Sequence, residues 1–284
     1  MNDLLPPGAL KGQTVGISVS DSPDLARLGL TESHVNVVLG EIARTVLASG
    51  GTLAYGGHLR PDGYTPFLLS EVQRYERGTE PLLTVYLAWS EHQHMTREEL
   101  SERLVVGSWG RVVCLDPDGE VLTDPLAGRG TEPAPRLTPE ENAHALTSMR
   151  RVMAEHTDAR ILLGGKRANF SGAVPGLMEE ALLTLEAGTP LFLVGGLGGV
   201  VVDILRALRV DECAWLPPNP TAPPEDPRLA EGRCRLEAVR ENPSWPGLHN
   251  GLSDEESRRL AAAYRPTEVA ALFALGLGRI ATAP

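Results

Sequence analysis

Lysine is nearly absent. Lys11 and Lys166 are the only two, so 24 of the 26 basic residues are arginine. Acidic residues number 37, which gives a formal net charge of −11. That balance excludes attachment to nucleic acid or to an anionic lipid surface through overall charge, so any anionic ligand must be met by a local site. Cysteine is scarce too. Cys114, Cys213 and Cys234 are odd in number and far apart, which excludes a disulfide scaffold and reads as free thiols. No apolar run approaches the roughly 18 residues that a membrane span needs, and MNDLLPPGAL has no basic segment ahead of an apolar one. A cytoplasmic protein with no membrane partner is expected. A GxSxG elbow and a GxxxxGK[ST] loop are both missing, and Gly195-x-x-Gly198 does not match GxGxxG. Conventional hydrolase, nucleoside-triphosphatase and dehydrogenase chemistry is therefore disfavoured. Glu91-His92-Gln93-His94 lacks an obvious third ligand and reads as surface polar residues, so no metal and no cofactor are expected.

What is present is an alternation of strands and helices. The chain of 284 residues, 42% hydrophobic, suffices for one large core or two modest ones. QTVGISV (13 to 19) reads as a strand, and the stretch from Thr31 to Ser49 as an amphipathic helix ended by Gly50-Gly51. TLAY (52 to 55), a helix from about Tyr64 to Tyr75 and LLTVYLAW (82 to 89) continue the pattern. Thr96 with Glu99 predicts a capping box, and RVVCLDPDGEVLTD (111 to 124) a hairpin around Asp118-Gly119. After a Gly/Pro-rich loop, Thr138, Pro139 and Glu141 open a long helix to about His156. ARILL (159 to 163), a helix from about Pro175 to Glu186 and PLFLV (190 to 194) follow. Because parallel strands require crossovers, this order predicts a Rossmann-like α/β fold, a doubly wound, mostly parallel sheet in three αβα layers. We place that domain at 1–210. Residues 211–284 form a proline-rich segment from Pro217 to Pro227 and a helical C-terminal tail, with a capping box at Ser253 and Glu256 and a helix over 267–280.

Three strands end in a glycine pair, at Gly56-Gly57, Gly164-Gly165 and Gly195-Gly196. In a doubly wound sheet ligands lie beyond the carboxyl ends of the strands, where glycine lets the backbone approach a phosphate or ribose. Three such ends predict one cradle for a nucleotide-derived small molecule. Lys166, Arg60, His58 and Arg150 are the cationic candidates for its phosphate. Glu179 and Glu180 are the catalytic candidates, since a carboxylate beside a ribose can stabilise the charge that develops as an N-glycosidic bond breaks. Neighbours at i and i+1 on a helix rarely both face one ligand. Ser18, Ser20, Gly172, Gly176, Gly198 and Gly199 complete the candidate set.

The order of GISVS (16 to 20), YGGH (55 to 58), MAEHTDARILLGGK (153 to 166), PGLMEEA (175 to 181) and LVGGLGG (193 to 199) resembles the SLOG superfamily. That group contains the LOG cytokinin-activating phosphoribohydrolases, Smf/DprA and the TRPM-channel and Thoeris sensor domains. Tyr55, Gly56 and Gly57 match a YGGG element whose last glycine is His58 here. The family's Arg-Lys pair falls on Met149 and Arg150. In its PGGxGTxxE loop Gly164, Gly165, Gly176 and Glu180 match, Leu177 replaces threonine, and the loop is expanded. The resemblance implies a sensor of nucleotide or nucleotide-sugar signals, NAD-like or ADP-ribose-like or a nucleoside monophosphate. Such a sensor acts as a homo-oligomer or through an effector protein. The alternative it implies is an N-glycoside hydrolase or transferase.

Overall fold

A computed structural model describes residues 5–75, 80–219, 225–245 and 247–282. Strand β1 (Thr14–Ser20) is followed by α1 (Glu32–Ala48), β2 (Thr52–Gly56), α2 (Tyr64–Gln73) and β3 (Leu83–Leu87). Two short helices, α3 (Trp89–His92) and α4 (Arg97–Arg103), lead to β4 (Gly110–Cys114) and then to α5 (Pro139–Glu155). The second half runs β5 (Ala159–Gly164), α6 (Gly176–Glu186), β6 (Leu191–Val194), α7 (Val200–Ala207), α8 (Pro227–Glu241), α9 (Asp254–Ala262) and α10 (Pro266–Ala281).

All six strands are parallel, in the order β4-β3-β2-β1-β5-β6. The chain steps outward from β1 through β4, returns to the other flank of β1 as β5, and steps outward again. The switch point lies between β1 and β5, whose register ends with Ser20 opposite Gly164. Period-two alternation sorts β1. Val15, Ile17 and Val19 join the core with residues of α1, α2 and α10, leaving Gly16, Ser18 and Ser20 on the opposite face, where α6 packs.

Local signals explain most boundaries. Thr96, Thr138 and Ser253 each accept the backbone N–H three residues on, and Glu99, Glu141 and Glu256 return the bond. The tail belongs to the core rather than lying beside it. Leu272, Phe273 and Leu277 of α10 share a cluster with Leu39 and Ile42 of α1, and Phe273 meets Phe192 edge to face at 4.8 Å. The outer edge of β6 is also covered, because Leu191 donates to the Leu248 carbonyl at 2.9 Å and Asn250 Nδ2 donates to the Leu191 carbonyl at 3.1 Å.

The hairpin expected at 111–124 is present in short form beyond β4: Leu115 bridges Val121 antiparallel, and the Leu122 and Asp116 amides donate to the Cys114 and Glu120 carbonyls, both at 2.9 Å. One reading needs revision. His92 is fully buried rather than a surface polar residue. Its Nε2 lies 2.9 Å from the Leu115 carbonyl and its Nδ1 2.6 Å from Arg129 Nη2. Within the proline-rich segment, residues 220–224 lie outside the described residues. No described helix is long and apolar enough to cross a membrane.

Candidate functional site

The ends of β1, β2 and β5 surround a cleft of about 280 Å3. Ser20 comes from the end of β1 and Asp21 from the loop after it, residues 55–58 and Arg60 from the end of β2 and beyond, and Lys166 from the loop after β5. Arg150 of α5 with Gly176 and Glu180 of α6 close one side. At Gly56 an added Cβ would stand 2.4 Å from Met153 Sδ, so that side chain would have to move, and at Gly57 it would stand 2.2 Å from the Tyr55 ring. Burial pushes the Tyr55 and Tyr64 hydroxyls far above their ordinary values, so both stay protonated donors. Burial, with the neighbouring charge of Arg60, lowers His58 and keeps its imidazole neutral at pH 7.

Beneath the cleft sits a buried ionic cluster. Arg160 of β5 is fully buried and its side chain passes over Gly16, where a Cβ would be 3.5 Å from its Cζ. Arg160 Nη1 reaches Glu180 Oε2 at 2.7 Å and Ser18 Oγ at 3.2 Å, and Ser18 also donates to Glu180. Arg150 pairs with Glu179 and lies 3.7 Å from Glu180 Oε1, while Thr147 Oγ1 donates to Glu179 at 2.6 Å. The Arg150 guanidinium fits because Gly172 and Gly176 flank it. A Cβ would stand 3.0 Å from Nη1 at Gly172 and 2.7 Å from Nη2 at Gly176. Two arginines and two glutamates thus neutralise one another under the cleft floor.

A second brace joins the loops. Arg167 pairs with Asp24 and with Asp203 at 2.6 Å, and donates to the Gly199 carbonyl at 2.9 Å. The Gly199 amide donates to Asp24 Oδ2 at 2.8 Å. Gly199 has φ +72, and a Cβ there would stand 2.4 Å from the Gly164 carbonyl carbon.

The chain's family is decided by its length of match. A family model described as SLOG cluster2 matches residues 9–260. This protein belongs to the SLOG family. A comparison with curated proteins gives no significant match. SLOG domains are associated in general with nucleotide-related ligands.

Of the candidate residues, the SLOG cleft brings together Ser20, Gly56, Gly57, His58, Arg60, Arg150, Lys166, Gly176 and Glu180. Ser18 and Glu179 lie in the buried cluster behind it. Gly164 and Gly165 form the turn at its base, with φ +68 and +101, and Gly172 lines an adjoining hollow. The last glycine turn is elsewhere. Added Cβ atoms would stand 2.4 Å from the Ala261 carbonyl oxygen at Gly195 and 2.2 Å from that of Ala263 at Gly196, so the tail fills the space beyond β6. Gly198 packs on Asp24 and Gly199 on the Gly164 backbone. Sequence reasoning passed over Arg160, Asp24, Arg167 and Asp203. An arginine inside ARILL, on an otherwise apolar central strand, was the available signal, since a lone buried charge demands a partner.

Proposed function

We propose that the switch-point cleft binds a nucleotide or nucleotide-sugar derivative and that the protein acts as a sensor, signalling through an oligomer or an effector protein. The observation that carries this reading is the placing of Arg60 and Lys166, with the neutral His58 and the glutamate-paired Arg150 beside them, around one cleft at the ends of β1, β2 and β5. The Lys166 side chain is half exposed and, among the described residues, pairs with the exposed Asp21 at 3.1 Å, so a phosphate can recruit it at small cost. Binding without turnover is favoured by the state of Glu180. Both of its oxygens are engaged by the protein's own groups, Ser18 and Arg160 on one and Arg150 near the other. A carboxylate so neutralised is a weak nucleophile and gives little extra stabilisation to a ribosyl cation.

One observation favours a second reading. Arg150 and Glu180 lie within 3.7 Å at the cleft, an arginine-glutamate pair like that which the LOG resemblance associates with N-glycosidic cleavage. In that case the Glu180 carboxylate stabilises the positive charge that develops on the ribosyl ring as the base leaves, and Arg150 turns from it to the phosphate.

Purified protein incubated with nucleoside monophosphates, NAD and ADP-ribose separates the two. Thermal stabilisation by one ligand without release of free base, followed by chromatography, is the result expected for a sensor. Release of free base by the wild-type protein establishes the enzyme. No thermal shift with any of them, and no response to Lys166→Ala, removes both readings and leaves a scaffolding subunit.

A further inference from the structure

Arg129 holds the end of α3 without the help of a carboxylate. Its Nη1 reaches the carbonyls of His92, Gln93 and Met95 at 2.5, 3.3 and 3.1 Å, and its Nε donates to the Pro125 carbonyl at 2.6 Å. The end of a helix leaves carbonyls unpaired, and here one cation gathers them and ties them to the turn at 125–128. Among the described residues no Asp or Glu acts on this guanidinium.

The remaining nitrogen fixes the place of a proton. Arg129 Nη2 lies 2.6 Å from His92 Nδ1, and His92 Nε2 lies 2.9 Å from the Leu115 carbonyl. A guanidinium only donates and a carbonyl only accepts, so Nδ1 carries the lone pair and Nε2 the hydrogen. His92 is fully buried, with the Trp89 ring edge to face at 5.3 Å. A proton added at Nδ1 would point straight at an N–H of Arg129, and two donors cannot share that space. Burial lowers His92, its bond to Leu115 opposes this, and the charges of Arg129 and His94 add to the lowering. The α5 helix, which packs against α3, brings no charge to the imidazole, and the Cys114 thiol that acts on Arg129 is pushed up to about 11 and stays neutral. A second positive charge here has no counterion.

The neighbours of the pair form a wall. Ser90, Glu91, Gln93 and His94 line a hollow of about 730 Å3 beside the start of α5, and Glu91 also borders the cleft. The same stretch is tied to the chain beyond it by Arg97, whose amide donates to the Gly130 carbonyl at 3.2 Å. We infer that His92 and Arg129 form a proton-operated clasp: one proton from solvent on His92 Nδ1 expels the guanidinium, frees residues 125–130 from the end of α3 and loosens that wall while the sheet stays folded. The clasp works in this way whatever the cleft binds.

Hydrogen exchange of the wild-type protein at a series of pH values, each rate divided by the intrinsic rate at that pH, tests it. The released form takes up the proton and the clasped form does not, so protection over residues 90–100 and 122–131 is expected to fall about ten-fold per pH unit below about pH 6.5. At each pH it should lie below the protection of β1 and β5. His92→Gln should remove the slope, and the imidazole nitrogen shifts of the wild type at neutral pH should report the Nε2–H tautomer. Protection that is flat with pH, a slope that survives in His92→Gln, protection equal to that of β1 and β5 in acid, or an Nδ1–H tautomer overturns the clasp. If His92→Gln does not fold, the wild-type slope and the tautomer decide.

Discussion

Arg160 and Glu180 meet on the sheet face that α6 covers, Nη1 to Oε2 at 2.7 Å, with the arginine side chain lying beside Gly16 of β1. One residue comes from the central sheet and the other from α6, so their contact fixes the helix that borders the cleft to the strands beneath it. The pair is buried, and its value depends on both members being present.

Removing one charge is therefore expected to cost far more than removing both. Glu180→Gln leaves Arg160 uncompensated in the interior and should lower unfolding free energy by about 3–5 kcal/mol. The double change Arg160→Met with Glu180→Leu should recover most of that loss, as measured by urea denaturation. Equal destabilisation by the single and double variants would show that the pair does not act as a unit.

His92 gives the protein a pH dependence of known sign. Burial and the adjacent Arg129 charge lower its pKa to about 4, although its bond to the Leu115 carbonyl opposes this. Unfolded, the same imidazole titrates near 6.5, so below that value the unfolded chain binds the extra proton and the folded one does not. Stability from this group is complete above about pH 6.5 and is lost as the pH falls toward about 4, by about 3 kcal/mol in all. His92→Gln should be less stable at neutral pH and should lack that portion of the slope in denaturation curves taken from pH 7 to 4.

Asp24 acts lower on the scale. Burial alone would raise its carboxyl, but the hydrogen bond from Arg27, the charge of Arg167 and the Gly199 amide hold it below its ordinary value of 3.8. A depressed carboxyl stabilises the fold above its unfolded pKa and loses that contribution as pH falls through the folded one. Asp24→Asn is expected to destabilise at pH 7, to narrow its deficit progressively as the medium is acidified below about pH 4, and to show this in paired melting curves.

Much of this architecture was legible in advance, and the reasons are specific. The strands announce themselves as short apolar runs, three of them closed by a glycine pair, and Thr138, Pro139 and Glu141 mark the start of α5 through the bonds later seen there. The all-parallel sheet follows from the crossovers those helices impose. What stayed hidden depends on contacts distant in sequence. Arg160 meets Ser18 from 142 positions away, and Arg167 meets Asp24 from 143. No local pattern reports such pairs. Glycine was an ambiguous signal for the same reason. Gly56 and Gly57 border the cleft, whereas Gly195 and Gly196 are small because the tail's carbonyls press on them.

Two glycines with similar backbone angles separate strain from collision. Gly188 has φ +68 with nothing within 4 Å of an added Cβ, whereas Gly199 has φ +72 and would strike the Gly164 backbone. Gly188→Ala should cost about 1–2 kcal/mol from the left-handed conformation alone. Gly199→Ala should cost clearly more, and a smaller melting-temperature drop for it than for Gly188→Ala would contradict the close approach.

Thiol labelling checks the packing around the two ends of the sheet. Burial pushes Cys114 up to about 11 and Cys213 up to about 12, and both are enclosed, while Cys234 is exposed. Iodoacetamide at pH 8 should modify Cys234 alone in the folded protein and all three in urea, as read by mass spectrometry.

Asp24, Arg167, Asp203 and Gly199 tie the loop after β1, the loop after β5 and the start of α7 into one knot across the seam of the sheet. Domains that clasp their cargo by parting and rejoining two lobes need a slack crease at that seam, and here it is riveted. An occupant of the cleft is therefore expected to make itself felt at the periphery, through the exposed Arg60 and the half-exposed Lys166.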